Sequence, residues 1–206
     1  TTAKNVSING AGSVTVGSVT STAEGITIQS GGDFIANGKL AAATDLDITA
    51  LSSVTARDQL VASDGHIDVR LTDGNGSASF AKDLTANEWL RLTAATLMVS
   101  QKITAQSITI QTRDSFVVNG IWTAADYIDI RVFGNNADIT FNATPVFGSW
   151  LRAIAPDGTV DFASGVEFDG PNGRLLIKSK DSSTTEGKPL ETTVAELTLI
   201  TAPHGV

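Results

Sequence analysis

The sequence predicts an all-β chain: a right-handed parallel β-helix of about ten coils, each near 20 residues and carrying three short strands. Three observations carry this. Apolar-x-apolar pairs recur with a period near 20 residues. Inside each period the alternation is two residues, which marks strands rather than helices. The stretch "DFIANGKLAAATDLDI" at 33–48 also aligns without a gap to "SFVVNGIWTAADYIDI" at 115–130, four periods later.

The first strand of each coil is read from Val6-Ile8, Ile26-Ile28, Leu46-Ile48, Ile67-Val69, Leu90-Leu92, Ile108-Ile110, Ile128-Ile130, Leu151-Ala153, Leu175-Ile177 and Leu197-Leu199. A second series begins at Val14-Val16, Phe34-Ala36 and Val54-Ala56 and runs on to Val160-Phe162. A third contains Leu40-Ala42, Leu60-Ala62, Leu84-Ala86, Ile103-Ala105, Trp122-Ala124 and Val166-Phe168. Short links such as "NGK" and "NGI" join the second strand to the third and suit sharp corners with positive φ. Stacked coils would pair strand on strand at about 4.8 Å. The inward residues then form columns: a branched aliphatic one, a Phe/Val one, and a narrow one of Ala42, Ala62, Ala86, Ala105 and Ala124. Phe168 at the end of that column predicts a wider rod there. Trp122 aligns with Leu40 and belongs inside. A β-sandwich also uses many short strands, but its hairpins rarely keep one corner length through so many repeats. The whole of 1–206 reads as one solenoid domain, with an irregular segment at 178–193.

Units such as "GDFIANGKLAAATDLDITA" (32–50) resemble the roughly 20-residue repeats of filamentous haemagglutinin and related two-partner-secreted adhesins. The resemblance covers residues 5–168. It implies right-handed parallel β-helices exported to the bacterial surface, and hence an extracellular location. The family's secretion domain and a C-terminal toxin are not recognisable.

Bulk properties narrow the partners. The net charge of −8 repels phosphate backbones and anionic membranes, so no nucleic acid is expected. No stretch approaches the ~20 apolar residues of a membrane span. There is no cysteine, so disulfides and thiolate metal sites are excluded. The chain opens on Thr1 rather than Met, which reads as a processed or excised product.

Signs of chemistry are few. No phosphate loop, histidine cluster or Ser/His/Asp set is present, and the residues imply no enzyme activity, cofactor or metal. His66 should point outward from the surface. Asp47, Asp68 and Asp129 share an outward column with Arg91 and Arg152, read as a solvated mixed ladder. Asp47 and Asp68 in adjacent coils would be the only candidate acid–base pair. "TDGNGS" (72–77) resembles half a calcium loop but lacks the remaining ligands. It instead lengthens one corner, as "FGNNAD" (133–138) does three coils later. Loops bulging from a regular rod are where binding usually sits, so Asp73, Asn75, Asn135 and Asn136 are candidate binding residues. The outward column just before each first strand adds Trp89, Tyr127 and Trp150 as an aromatic stripe, with Tyr127 and Trp150 close enough to stack.

The expected function is structural: a filament subunit or adhesin shaft whose partner is itself, stacking head to tail or continuing as a longer rod. The alternative is a module that recognises glycan or host protein through the stripe and the two loops.

Overall fold

The computed structural model describes residues 2–163, 167–168, 173–181, 191–192 and 196–201. They form a parallel β-solenoid in which every strand pairing is parallel and joins neighbouring coils. The described residues contain no helix.

First strands run from Val6–Gly10 through Ile26–Ser30, Leu46–Ala50, Ile67–Leu71 and Trp89–Ala94. Coils six, seven and eight continue this ladder within the longer strands Ile103–Thr112, Trp122–Val132 and Trp150–Phe162. Second strands include Asp33–Ala36, Ser77–Phe80, Phe116–Val118 and Ile139–Phe141; third strands include Leu40–Ala42, Leu84–Ala86 and Val146–Phe147. Eight coils, from Val6 to Phe168, carry all three strands. This is fewer than the ten expected. Arg174–Asp181 and Glu196–Thr201 extend the first-strand ladder, but no described second strand completes their coils. The first strand of coil nine also reaches Asp181, so 178–181 is strand rather than irregular. Residues 182–190 lie outside the described set.

The alternation that revealed the strands also builds the core. Ile26, Leu46, Ile67, Leu90, Ile108 and Ile128 are fully buried and stack one above the next in register. Stacking like on like lets each branched side chain meet its own shape one coil away, which keeps the interior filled. Ala42, Ala62, Ala86, Ala105 and Ala124 are all buried in the expected narrow column. The column widens a coil earlier than Phe168 indicates, because Phe147 pairs with Ala124 and is itself 3% exposed. In coil eight the first strand carries the smaller buried Ala153 and Ala155. The side chain of Phe168 is outside the described set.

Corners are closed by hydrogen bonds between coils. The Ser30 hydroxyl lies 3.0 Å from the Gly12 carbonyl oxygen of the coil before, and the Thr112 hydroxyl donates to the Ala95 carbonyl. The expected positive φ at the Asn-Gly corners is not found. Asn136 is the only non-glycine with positive φ among the described residues, at 53°. Neither Gly38 nor Gly120 lies in the left-handed region. Glycine is required there by close approach instead. A Cβ on Gly120 would lie 2.0 Å from the Gln101 carbonyl oxygen of the coil before.

Candidate binding face

The outward face of the first-strand sheet presents three columns of side chains. In coils four to eight the column preceding the apolar pair reads His66, Trp89, Ser107, Tyr127, Trp150; the last four pair in succession, and His66 precedes Ile67, which pairs with Leu90. The middle column reads Asp68, Arg91, Thr109, Asp129, Arg152.

The aromatic stripe is real but divided. Tyr127 and Trp150 stack with ring centroids 4.4 Å apart and planes 1° from parallel. Trp89 stacks on His66 instead, at 3.9 Å and 6°. Ser107 separates the two pairs. His66 is therefore more than a surface residue: its Nδ1 lies 2.9 Å from Asp45 Oδ1 and its Nε2 lies 3.1 Å from Asp47 Oδ1, with only 20% of the side chain exposed.

The middle column is not a solvated ladder. Asp68 and Asp129 are 6% and 5% exposed. Arg91 reaches back one coil to Asp68, its Nε donating to Oδ1 at 3.0 Å and its Nη2 to Oδ2. Arg152 does the same to Asp129, with Nε donating to Oδ1 at 2.9 Å and Nη2 to Oδ2. A second arginine on the aspartate's own strand completes each clamp. Arg70 Nη2 lies 2.5 Å from Asp68 Oδ2, and Arg131 donates to Asp129 from both Nε and Nη2. Arg91 and Arg152 also lie over Trp89 and Trp150, at 5.1 and 5.0 Å from the ring centroids.

The two clamps differ in electrostatics. At Asp129 burial pulls the carboxyl upward, but hydrogen bonds from Arg152 and Arg131 prevail and hold it below the usual carboxylate range. At Asp68 burial prevails and raises the carboxyl against the pull of Arg70. Asp47 and Asp68 are paired across adjacent coils, yet they turn to different partners: Asp47 to His66, Asp68 to its arginines. They form no acid–base pair. Among the described residues no group of three acidic or histidine side chains could hold a metal ion.

The two bulging corners sit three coils apart on one edge, as the spacing indicates. Asp73, Asn75, Asn135 and Asn136 are exposed. Arg113, in the short corner of coil six, connects them. Its Nη1 donates to the Gly74 carbonyl at 3.1 Å and to Asn75 Oδ1 at 2.5 Å, while its own carbonyl accepts from Gly134 N at 2.7 Å. Between the loops lies a notch of about 190 Å³ floored by Ala94, Ala95 and Thr112, with the exposed Phe133 on one wall.

A larger pattern joins these parts. Residues 66–91, "HIDVRLTDGNGSASFAKDLTANEWLR", align without a gap to 127–152, "YIDIRVFGNNADITFNATPVFGSWLR". Eight positions are identical: Ile67/Ile128, Asp68/Asp129, Arg70/Arg131, Asn75/Asn136, Phe80/Phe141, Trp89/Trp150, Leu90/Leu151 and Arg91/Arg152. Stacked ring pair, clamped aspartate and long corner thus form one module, used twice. The 20-residue period hides it, because the offset of 61 residues is three coils.

No family model matches the chain, and neither the curated proteins nor the solved structures contain a match. The parallel β-solenoid stands on its geometry. The likeness to haemagglutinin-type repeats rests on the residues alone.

Proposed function

We propose that this chain is a non-enzymatic structural element: a stiff shaft segment or filament subunit on the outside of a bacterial cell, of the kind built from haemagglutinin-type repeats. Parallel pairing of the first strands, unbroken from Val6 to Thr201, supports this reading above all else. Such pairing places a continuous row of backbone hydrogen bonds along the rod axis, so pulling on the rod loads many bonds at once. The buried columns and the Arg–Asp clamps tie the same coils together. Eight coils span about 40 Å, and length is gained by adding coils without changing the cross-section. The next coil can come from the same chain or from another copy, because both offer the same ladder.

Electron microscopy of the purified protein at rising concentration tests it. Filaments one rod wide, lengthening with concentration, are the expected outcome. Single short rods at every concentration would overturn stacking between copies.

A further inference from the structure

Four rings stand in one column around a missing fifth. His66 covers one face of Trp89, and Trp150 covers one face of Tyr127. The remaining faces of Trp89 and Tyr127 therefore look toward coil six, where both residues pair with Ser107. Arg91 does not block the Trp89 face, because it reaches back to Asp68 in coil four, and Arg152 reaches only to Asp129 in coil seven, the coil of Tyr127 itself. Two strand spacings, about 9.5 Å, separate the levels of the two rings. The rings already stacked lie 3.9 and 4.4 Å apart. The gap is thus too wide for Trp89 and Tyr127 to touch and has room for one further ring at van der Waals contact with both.

Polar groups border this slot. Ser107 forms its floor and Thr109 lies beside it in the same strand. Where the register shifts, Gln106 stands alone between Ala105 and Ser107 opposite two residues of the next coil, Ala125 and Asp126, and it is exposed. The same Gln106 lines an open trough of about 740 Å³ with Ser63, Thr85, Asn87, Thr104 and Ala125. The trough runs along the corners of coils three to six, and Gln106, the residue before Ser107, lines it. Its polar side chains are hydroxyls and amides without a charged group.

We propose that the slot and trough bind a neutral oligosaccharide, with one pyranose ring inserted between Trp89 and Tyr127. A pyranose with equatorial hydroxyls has C–H bonds on both faces and hydroxyls around its edge. The faces meet the two aromatic rings, and the edge meets Ser107, Thr109 and Gln106. An aromatic side chain from a protein partner carries at most one or two polar atoms on its edge and would leave most of these groups unpaired. A rod that never stacked on its neighbours would carry the same slot.

The test is calorimetric titration with cellohexaose, whose rings have only equatorial hydroxyls and linkages, alongside β-1,4-galactohexaose, whose linkage oxygen O4 stands axial on one face of the ring. Saturable binding of cellohexaose and weaker binding of galactohexaose are expected. Trp89→Ala and Tyr127→Ala should each weaken binding roughly tenfold. Ser107→Trp, which supplies the missing ring from the chain itself, should abolish binding while raising the melting temperature. Circular dichroism confirms that each variant is folded. No binding of cellohexaose at millimolar concentration overturns the proposal, as does undiminished binding by Ser107→Trp. Binding of N-acetyltryptophanamide in place of cellohexaose would assign the slot to a protein's aromatic side chain and overturn it too.

Discussion

Asp68 and Asp129 occupy equivalent places three coils apart, each buried beneath two arginines, yet their carboxyls are displaced in opposite directions. The difference follows the grip. Arg131 holds Asp129 with three N–H···O contacts, between 2.9 and 3.2 Å, whereas Arg70 approaches Asp68 through Nη2.

Opposite displacements give opposite pH trends. A carboxyl held low in the folded state adds stability above its unfolded value of about 3.9, and that stability is lost as pH falls through the folded value. A carboxyl held high adds stability only below about 3.9, and loses it as pH rises through the folded value. At neutral pH, Asp129→Asn should therefore cost about 2 kcal/mol, since it leaves Arg131 and Arg152 without their charge partner. Asp68→Asn should cost less. Lowering the pH from about 7 to about 3 should narrow the gap between Asp129→Asn and the parent, and widen it for Asp68→Asn. Thermal melts of the three proteins at both pH values check this. Parallel trends would show the two clamps to be electrostatically alike.

The contrast between core and clamp explains what could be read from the sequence. Ile26, Leu46, Ile67 and Leu90 announce a strand face because inward positions tolerate little but apolar residues, and the alternation repeats every coil. The third-strand alanines were legible for the same reason. Outward positions obey no such rule. Asp68 beside Arg70 looks like any charged surface, and only the coil-to-coil register brings Arg91 onto it. Burial of the carboxylate comes from long side chains folded over it, which no local pattern encodes. The split of the stripe into two ring pairs has the same origin: Trp89 finds His66 because Ile67 pairs with Leu90 and sets the residues before them one above the other. The 61-residue offset was the one available signal, and it lay beneath the stronger repeat of single coils. Coil number failed where the chain leaves the pattern, after Phe162.

Close packing of corners makes a second prediction, which depends on which glycine is replaced. A Cβ on Gly120 meets the Gln101 carbonyl oxygen at 2.0 Å, and one on Gly148 meets the Ala125 carbonyl oxygen at 2.0 Å. Both obstacles are backbone and can yield only by separating two coils. A Cβ on Gly17 meets nothing within 4 Å. Gly120→Ala should cost about 2 kcal/mol or more, while Gly17→Ala should be neutral or slightly stabilising, because alanine narrows the unfolded ensemble. Urea unfolding midpoints separate the two. Equal effects would show that conformational freedom, not coil spacing, selects glycine at these corners.

Trp122 supplies the third prediction, because the core holds a polar atom there without a partner. The indole sits at 0% exposure in a column otherwise filled by Leu40, Leu60, Leu84 and Ile103, and it packs against Phe116 with centroids 5.7 Å apart. Its Nε1 is buried and makes no hydrogen bond. Leaving such a donor unsatisfied costs about 1–3 kcal/mol. Cutting a buried Trp back to Ala ordinarily costs about 3–5 kcal/mol. Trp122→Phe removes the N–H and keeps most of the volume and the contact with Phe116. The two effects oppose each other, so its stability should fall within about 1 kcal/mol of the parent. Trp122→Ala keeps only the loss and should show the full penalty. Chemical denaturation followed by circular dichroism reads both without relying on the deleted fluorophore. A large loss in Trp122→Phe would mean that the coils around position 122 are shaped to the whole indole, and that the unpaired N–H costs the fold little.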